Sequence, residues 1–346
     1  MSTLASSPPG TRASFGGEAG AALVFLVAYL VVFAWMLFGF FTHRLKWRSR
    51  YLLLFFHVTI RLASQGCGIA FGVLGFSNVN VFLAFLILGA EGYFSLVLCA
   101  FRFLISWHQH NLASGESWLA PRDAPTSSAS KLRKALQFSL LGRLASRVSR
   151  GSPMGLVHCL LIGANVAIVV GGSYLAGADL AHPASRDTRT SLRVSKIARS
   201  AGQSVFLAIN TALLFVILAT IRDNRRDGDA RGRKGTTHPT LVLLFIAWFP
   251  LIVRGIFGLL QACVWSLSYY NPVNYNAGGF TSRFTALEYI LGVLTEWLAC
   301  IILNATYLTS RHDPEKRAVA GVNGAERGES DDGTSLNRLH GRNVEA

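Results

Sequence analysis

The chain has 346 residues, of which 51% are apolar and only 15% charged, and its formal net charge is +15. Soluble domains carry about 25% charged residues, so this depletion, together with a mean hydropathy of +0.39, excludes an ordinary soluble globular domain. The positive charge alternates in density between successive segments that separate apolar runs, which excludes nucleic acid as its reason.

Residues 1–20 are rich in Ser, Pro, Gly and Ala and are expected to form a disordered tail. The first apolar run, AALVFLVAYLVVFAWMLFGFF at 21–41, is too long for a signal-peptide core and lacks a basic flank, so it reads as a signal anchor. A short basic turn, THRLKWRSR at 42–50, leads to a second span at 51–76. That span carries His57, Arg61 and Gln65 at successive four-residue steps, which places them on one helical face. Its Gly68 and Gly72 form a small-xxx-small pattern that permits close helix packing. SNVN at 77–80 is a tight turn into the third span, 81–106, with Glu91, Ser95 and Arg102 as its polar residues.

The long segment 107–153 contains KLRKALQFSLLGRLASRVSR, in which Arg133, Arg143 and Arg147 fall among the leucines of a helical wheel. It reads as a polybasic segment drawn to anionic lipid, at about 1 kcal/mol per basic residue near the surface. The fourth span, 154–177, has His158 and Asn165, and the fifth, 202–221, has Gln203 and Asn210. Between them RTSLRVSKIARSA puts Arg189, Arg193, Lys196 and Arg199 on one side, as a helix lying along the membrane or extending the fifth span. A mixed-charge loop at 222–238 precedes the sixth span, 240–264, where Pro250 removes a backbone hydrogen bond and is expected to kink the helix. The seventh span, 286–309, carries Glu288, Gly292, Glu296, Cys300 and Asn304, and 310–346 reads as a disordered tail.

Each run is long enough to cross a hydrocarbon core of roughly 30 Å. With the N-terminus outside, the inner segments 42–50, 107–153, 222–239 and 310–346 hold 4, 7, 6 and 6 Lys+Arg, and the outer ones hold 1, 0, 5 and 1. This asymmetry is the positive-inside pattern. The dissenting segment is 178–201, with its five basic residues. The expected fold is an all-α membrane protein: a seven-transmembrane helix bundle at 21–309, N-terminus outside, C-terminus cytoplasmic. The five cysteines all fall within spans, which argues against a disulfide framework and against a CxxC metal site. Span lengths without a retention signal favour the plasma membrane over endomembranes.

Six formal charges lie inside the spans: Arg61, Glu91, Arg102, Arg254, Glu288 and Glu296. Such residues are rare because each is costly in hydrocarbon unless paired. Depths at 1.5 Å per residue place Glu91, Arg254 and Glu296 about 15–16 Å below the outer ends of their spans, and Arg61 at roughly 24 Å. The expected pairs are Arg61 with Glu91 and Arg254 with Glu296, either fixing helix register or lining a ligand or ion site, with His57, Gln65, Arg102 and Glu288 in support. Polar faces on five spans must meet each other or water.

Two short motifs, AWFP at 247–250 and NPVNY at 271–275, match patterns of rhodopsin-like receptors. NPVNY precedes the last span instead of lying within it, and Phe101-Arg102-Phe103 lacks an acidic neighbour of the arginine, so that kinship is set aside. Three longer runs, HVTIRLASQGCGIAFGVLGFSNVN (57–80), ILGAEGYFSLVLCAFRFLISWHQHN (87–111) and EYILGVLTEWLACIILNATYL (288–308), resemble a family of uncharacterised seven-helix fungal integral membrane proteins. The resemblance spans 21–309 and implies the fold; it carries over no catalytic or binding residue.

The leading functional expectation is a receptor-like or sensor protein that binds a small or lipid-like ligand in a polar core, with anionic lipid at the basic cytoplasmic loops. A secondary transporter, proton-coupled through Glu91 or Glu296, is the alternative, and a membrane enzyme the third class. No nucleophile–base or metal constellation at one depth points to catalysis, and neither a cofactor nor nucleic acid is implied.

Overall fold

A computed structural model describes residues 17–47, 49–75, 78–112, 117–120, 153–176, 186–230, 237–276 and 279–310. The polybasic run at 131–150 and the tail after 310 lie outside the described residues. Seven helices are long and apolar enough to cross a membrane, as expected of a multi-pass membrane protein. They are α1 (Gly17–Phe41), α2 (Arg50–Leu74), α3 (Val79–Asn111), α4 (Pro153–Ala176), α5 (Arg186–Ala230), α6 (Pro239–Cys263) and α7 (Ser282–Ser310).

Residues 17–20, tail-like in composition, form the first turn of α1. α5 is one helix of 45 residues. The basic segment before the fifth span therefore extends that span, and residues 222–230 of the mixed-charge stretch after it belong to the same helix. Helix ends are set by local chemistry. Ser49 caps α2 by accepting from the Tyr51 N–H, and Asn78 caps α3 through the Asn80 N–H. Gly75 closes α2 at φ 55°, a left-handed conformation that costs glycine little, and its N–H bonds the Phe71 carbonyl.

Burial follows the logic of a protein surrounded by lipid. On α1, Val24 and Val31 are 65% and 66% exposed, whereas Ala22, Tyr29 and Met36 on the opposite side are wholly buried. An apolar outer stripe of this kind suits hydrocarbon and would be costly in water. Chain neighbours pack side by side: α1 on α2, α2 on α3, α4 on α5, α5 on α6 and α6 on α7. α7 also meets α1, which closes the ring, and α3 touches α4, α5, α6 and α7 as the inner helix. Gly72 allows a close approach of α1 to α2. A methyl group there would lie 2.8 Å from the Ala19 backbone nitrogen, so the small-residue pattern serves α1–α2 packing.

One end of the bundle, the loop face, carries the α2–α3 turn and the segment between α6 and α7. That segment contains 3₁₀ turns at Trp265–Leu267 and Pro272–Asn274 and a two-residue antiparallel ladder, Tyr275 with Phe280 and Asn276 with Gly279. The NPVNY motif is thus a turn: the Asn271 side chain accepts from the Val273 N–H, with Pro272 at the first position of the 3₁₀ turn. Glu18 of α1 accepts from the Phe280 N–H at 3.1 Å and ties the loop to the first helix. The opposite end, the basic face, carries Arg44, Lys46 and Arg50.

α7 is not a uniform α-helix. Residues Glu288–Val293 form a π turn between two α-helical stretches. Thr295, just beyond it, donates its hydroxyl to the carbonyls of Leu291 and Gly292, each at 2.8 Å. The π turn matters for the charges. Glu288 and Glu296 are eight residues apart, which on an ideal α-helix leaves them about 80° out of line. Absorbing one extra residue in a π turn reduces this to roughly 20°. Both carboxylates therefore face the interior, at 5% and 0% exposure.

Candidate functional site

The charged centre is built on Glu296. Arg254 of α6 donates its Nε–H to Glu296 Oε1 at 2.6 Å, and Arg61 of α2 forms an ion pair with Oε2 of the same carboxylate. The expected Arg254–Glu296 pair is present. The expected Arg61–Glu91 pair is not: Glu91 accepts instead from the Asn165 side chain of α4. Two structural reasons account for this. α2 ends at Leu74 and α7 begins at Ser282, so Arg61 and Glu296 both lie about 20 Å below the loop face at 1.5 Å per residue. Span ends read from hydropathy put them roughly 9 Å apart in depth. The second reason is azimuth. The Arg61 guanidinium lies against Gly92, whose missing side chain makes room for it. Glu91, one residue and about 100° further round α3, faces α4.

His57, one turn from Arg61, bonds the Ser95 hydroxyl at 2.9 Å through Nδ1. The α2 stripe is real, since His57, Arg61 and Gln65 are 0%, 2% and 0% exposed. The α3 face opposite is Gly92–Ser95 instead of Glu91–Ser95. Arg102 is the expected supporting residue that does not join the centre; it lines a groove at the basic face with Arg44, Arg50 and Ser106. Glu288 does join the interior and accepts from the Gln261 side chain at 2.7 Å.

Above the Glu296 centre, towards the loop face, is a cavity of about 130 Å³. Its walls include Arg61, Gln65, Gln203, Arg254, Gln261 and Glu288. Tyr269 and Tyr270 cover it at the loop end. Tyr270 donates its hydroxyl to the Gly172 carbonyl at 3.1 Å, and its ring lies 5.4 Å from the Arg199 guanidinium. Burial raises the Tyr270 phenol while Arg199 pulls it down, so it stays neutral and can donate at physiological pH. Several buried polar atoms of the wall have no hydrogen-bond partner within the protein: the Ser64 hydroxyl, both ends of the Gln65 amide, Gln203 Oε1, Arg61 Nε and Arg254 Nη1. Buried polar groups are normally paired because an orphan costs about 1–3 kcal/mol. Orphans on residues that line one cavity are what a site for a polar guest requires.

Three wall residues escape sequence reasoning. Arg199 reads as part of an outer basic segment, yet it projects into the interior, with its stem against Gly171. Its signal is the four-residue step to Gln203. Gln261 stands two turns from Arg254, a spacing that marks one helical face. Ser64 has no signal beyond its neighbour Gln65.

Three histidines outside the centre, His108, His110 and His158, are hydrogen-bonded. His108 bonds the Ser117 and Thr220 hydroxyls, each at 2.9 Å, and His158 and His110 bond the carbonyls of Met154 and Ser106. The five cysteines are free thiols, and among the described residues no three His, Cys, Asp or Glu side chains come together as a metal-binding set. No family model, curated protein or solved structure matches this chain.

Proposed function

We propose that the protein is a membrane receptor or sensor that binds a small or lipid-like ligand in the loop-face half of its helix bundle. The observation that carries this reading is the cavity of about 130 Å³ walled by buried polar atoms without partners in the protein. An engineered protein cavity of about 150 Å³ admits benzene, so this one suits a ligand of that scale or the head of a larger one. The helices that surround it are the same ones that continue to the basic face, so a ligand that repacks the cavity wall would be felt at the other end. The positive-inside bias makes the loop face the outer one and the basic face the cytoplasmic one, where anionic lipid would gather. The plasma membrane is the proposed location.

The test uses Gly89, which lines the cavity and has nothing within 4 Å of a would-be methyl group. A Gly89→Leu variant should fill part of the cavity while keeping the fold. Wild-type protein purified in nanodiscs and heat-denatured should release a small molecule detectable by mass spectrometry. The variant, melting at the same temperature or higher, should release none. Equal release from both would place the ligand elsewhere and defeat the reading.

A secondary transporter rests on a different observation. Of the two adjacent helices that bear the central charges, α7 is interrupted by the π turn at Glu288–Val293 and α6, although continuous, carries Pro250 in its interior, and interrupted helices are a feature of transporter sites. Uptake of the released molecule into proteoliposomes would favour the transporter; binding without uptake favours the receptor.

A further inference from the structure

The cavity walls carry an unbalanced charge. Arg61, Arg199 and Arg254 face it, against Glu288 in the wall and Glu296 directly beneath, which is shared by Arg61 and Arg254. Glu91, occupied with Asn165, is not part of the wall. The other titratable groups of the lining are the phenols of Tyr269 and Tyr270. Three guanidiniums therefore meet two carboxylates, an excess of one positive charge in a water-poor interior. An unbalanced cation there is costly. Arg199 is the source of the excess: its guanidinium rests on the Tyr270 ring, and among the described residues no carboxylate lies within ion-pair distance of it.

The wall is also partly apolar. Its polar lining comes from the arginines and from Gln65 and Gln203, with unpartnered atoms on Gln65, Gln203 and Arg254. Its apolar lining comes from Leu83, Leu86 and Ile87 of α3 and Ile168 and Val169 of α4. Ile87 lines the cavity and is also 42% exposed, and Ser173 of α4 is both a wall residue and exposed. The cavity thus opens sideways between α3 and α4, while Tyr269 and Tyr270 cover it at the loop end.

We infer that the cavity takes a monoanionic amphiphile of the carboxylate class, with its head between Arg199 and Arg254 and its tail leaving through the apolar window between α3 and α4. The inference rests on the ligand-binding reading and adds the ligand's charge and its route of entry. A carboxylate neutralises the excess charge one for one and accepts from the unpartnered Arg254 N–H and the Gln65 amide. Guanidinium–carboxylate geometry suits such a head. A dianionic phosphate would overcompensate the single excess charge, and an amine would add to it.

The experiment is a thermal-shift series on the full chain in nanodiscs with three probes of equal length: hexanoate, hexanamide and hexylamine. Hexanoate should raise the melting temperature by roughly 3–6 °C at ten times its dissociation constant, with hexanamide and hexylamine giving no shift. In Arg199→Gln the hexanoate shift should vanish. Dodecanoate, whose tail reaches the window, should act at lower concentration than hexanoate. If hexanamide stabilises as well as hexanoate, the cavity binds ligands but the charge inference is overturned. A hexanoate shift that persists in Arg199→Gln overturns it too, as does no shift with any probe. The wild-type comparison of the three probes decides the matter even if Arg199→Gln does not fold. The mass-spectrometric comparison with Gly89→Leu stands apart from all of these outcomes, so the ligand-binding reading and the charge inference can fail separately.

Discussion

Glu296 is the residue on which the interior turns, and replacing it with Gln tests that claim. The side chain is wholly buried and holds both Arg61 and Arg254. Removing one partner of a buried ion pair typically costs about 3–5 kcal/mol, because the other charge is left uncompensated. Here a single substitution strands two guanidiniums, so Glu296→Gln should fall at or above the top of that range. Arg254→Gln should cost less, about 3 kcal/mol, since Glu296 keeps Arg61 as a counter-ion. Glu91→Gln should cost least, about 1 kcal/mol, because its amide can still bond Asn165. At about 2–4 °C per kcal/mol, the three variants should melt in a widely spaced order. Thermal unfolding of purified protein in nanodiscs reads that order directly. A double-mutant cycle should show strong coupling for Arg61 with Glu296 and none for Arg61 with Glu91. If Glu91→Gln destabilises as much as Glu296→Gln, or if the coupling falls on Arg61 and Glu91, the shared-carboxylate centre is wrong.

Two further outcomes follow from close contacts. Gly72→Ala would place a methyl group 2.8 Å from the Ala19 backbone nitrogen and should cost about 1–3 kcal/mol, whereas Gly66→Ala, with nothing within 4 Å, should stabilise α2 by about 0.5–1 kcal/mol; melting temperatures that move together would contradict this packing. Glu18→Ala removes the acceptor for the Phe280 N–H and should speed hydrogen exchange at Phe280, with a loss of about 1–3 kcal/mol, and unchanged exchange there would show that the α1 tether is not what holds the loop.

The number of spans and the inward turn of the polar stripes are legible in the sequence because both are local properties. An apolar run reports its length directly, and a helix of known pitch fixes which residues share a face, as with His57, Arg61 and Gln65. Span ends also place Arg254 and Glu296 at one depth, and their bond is present. What fails are statements that need the rotation of one helix about its axis relative to another. Charge alone pairs Arg61 with Glu91, but one residue on α3 is about 100° of rotation, and the tertiary packing gives Gly92 to Arg61 and Glu91 to Asn165. The π turn in α7 is invisible to hydropathy, yet it brings Glu288 into line with Glu296. Arg199 looks like a loop cation because its neighbours Arg189, Arg193 and Lys196 are exposed. It is a cavity residue only because α5 is continuous and Gly171 leaves space for its stem. The sequence by itself determined what must be buried in an apolar surrounding; the tertiary structure decided which buried groups meet, because that depends on angles and helix ends that no single segment encodes.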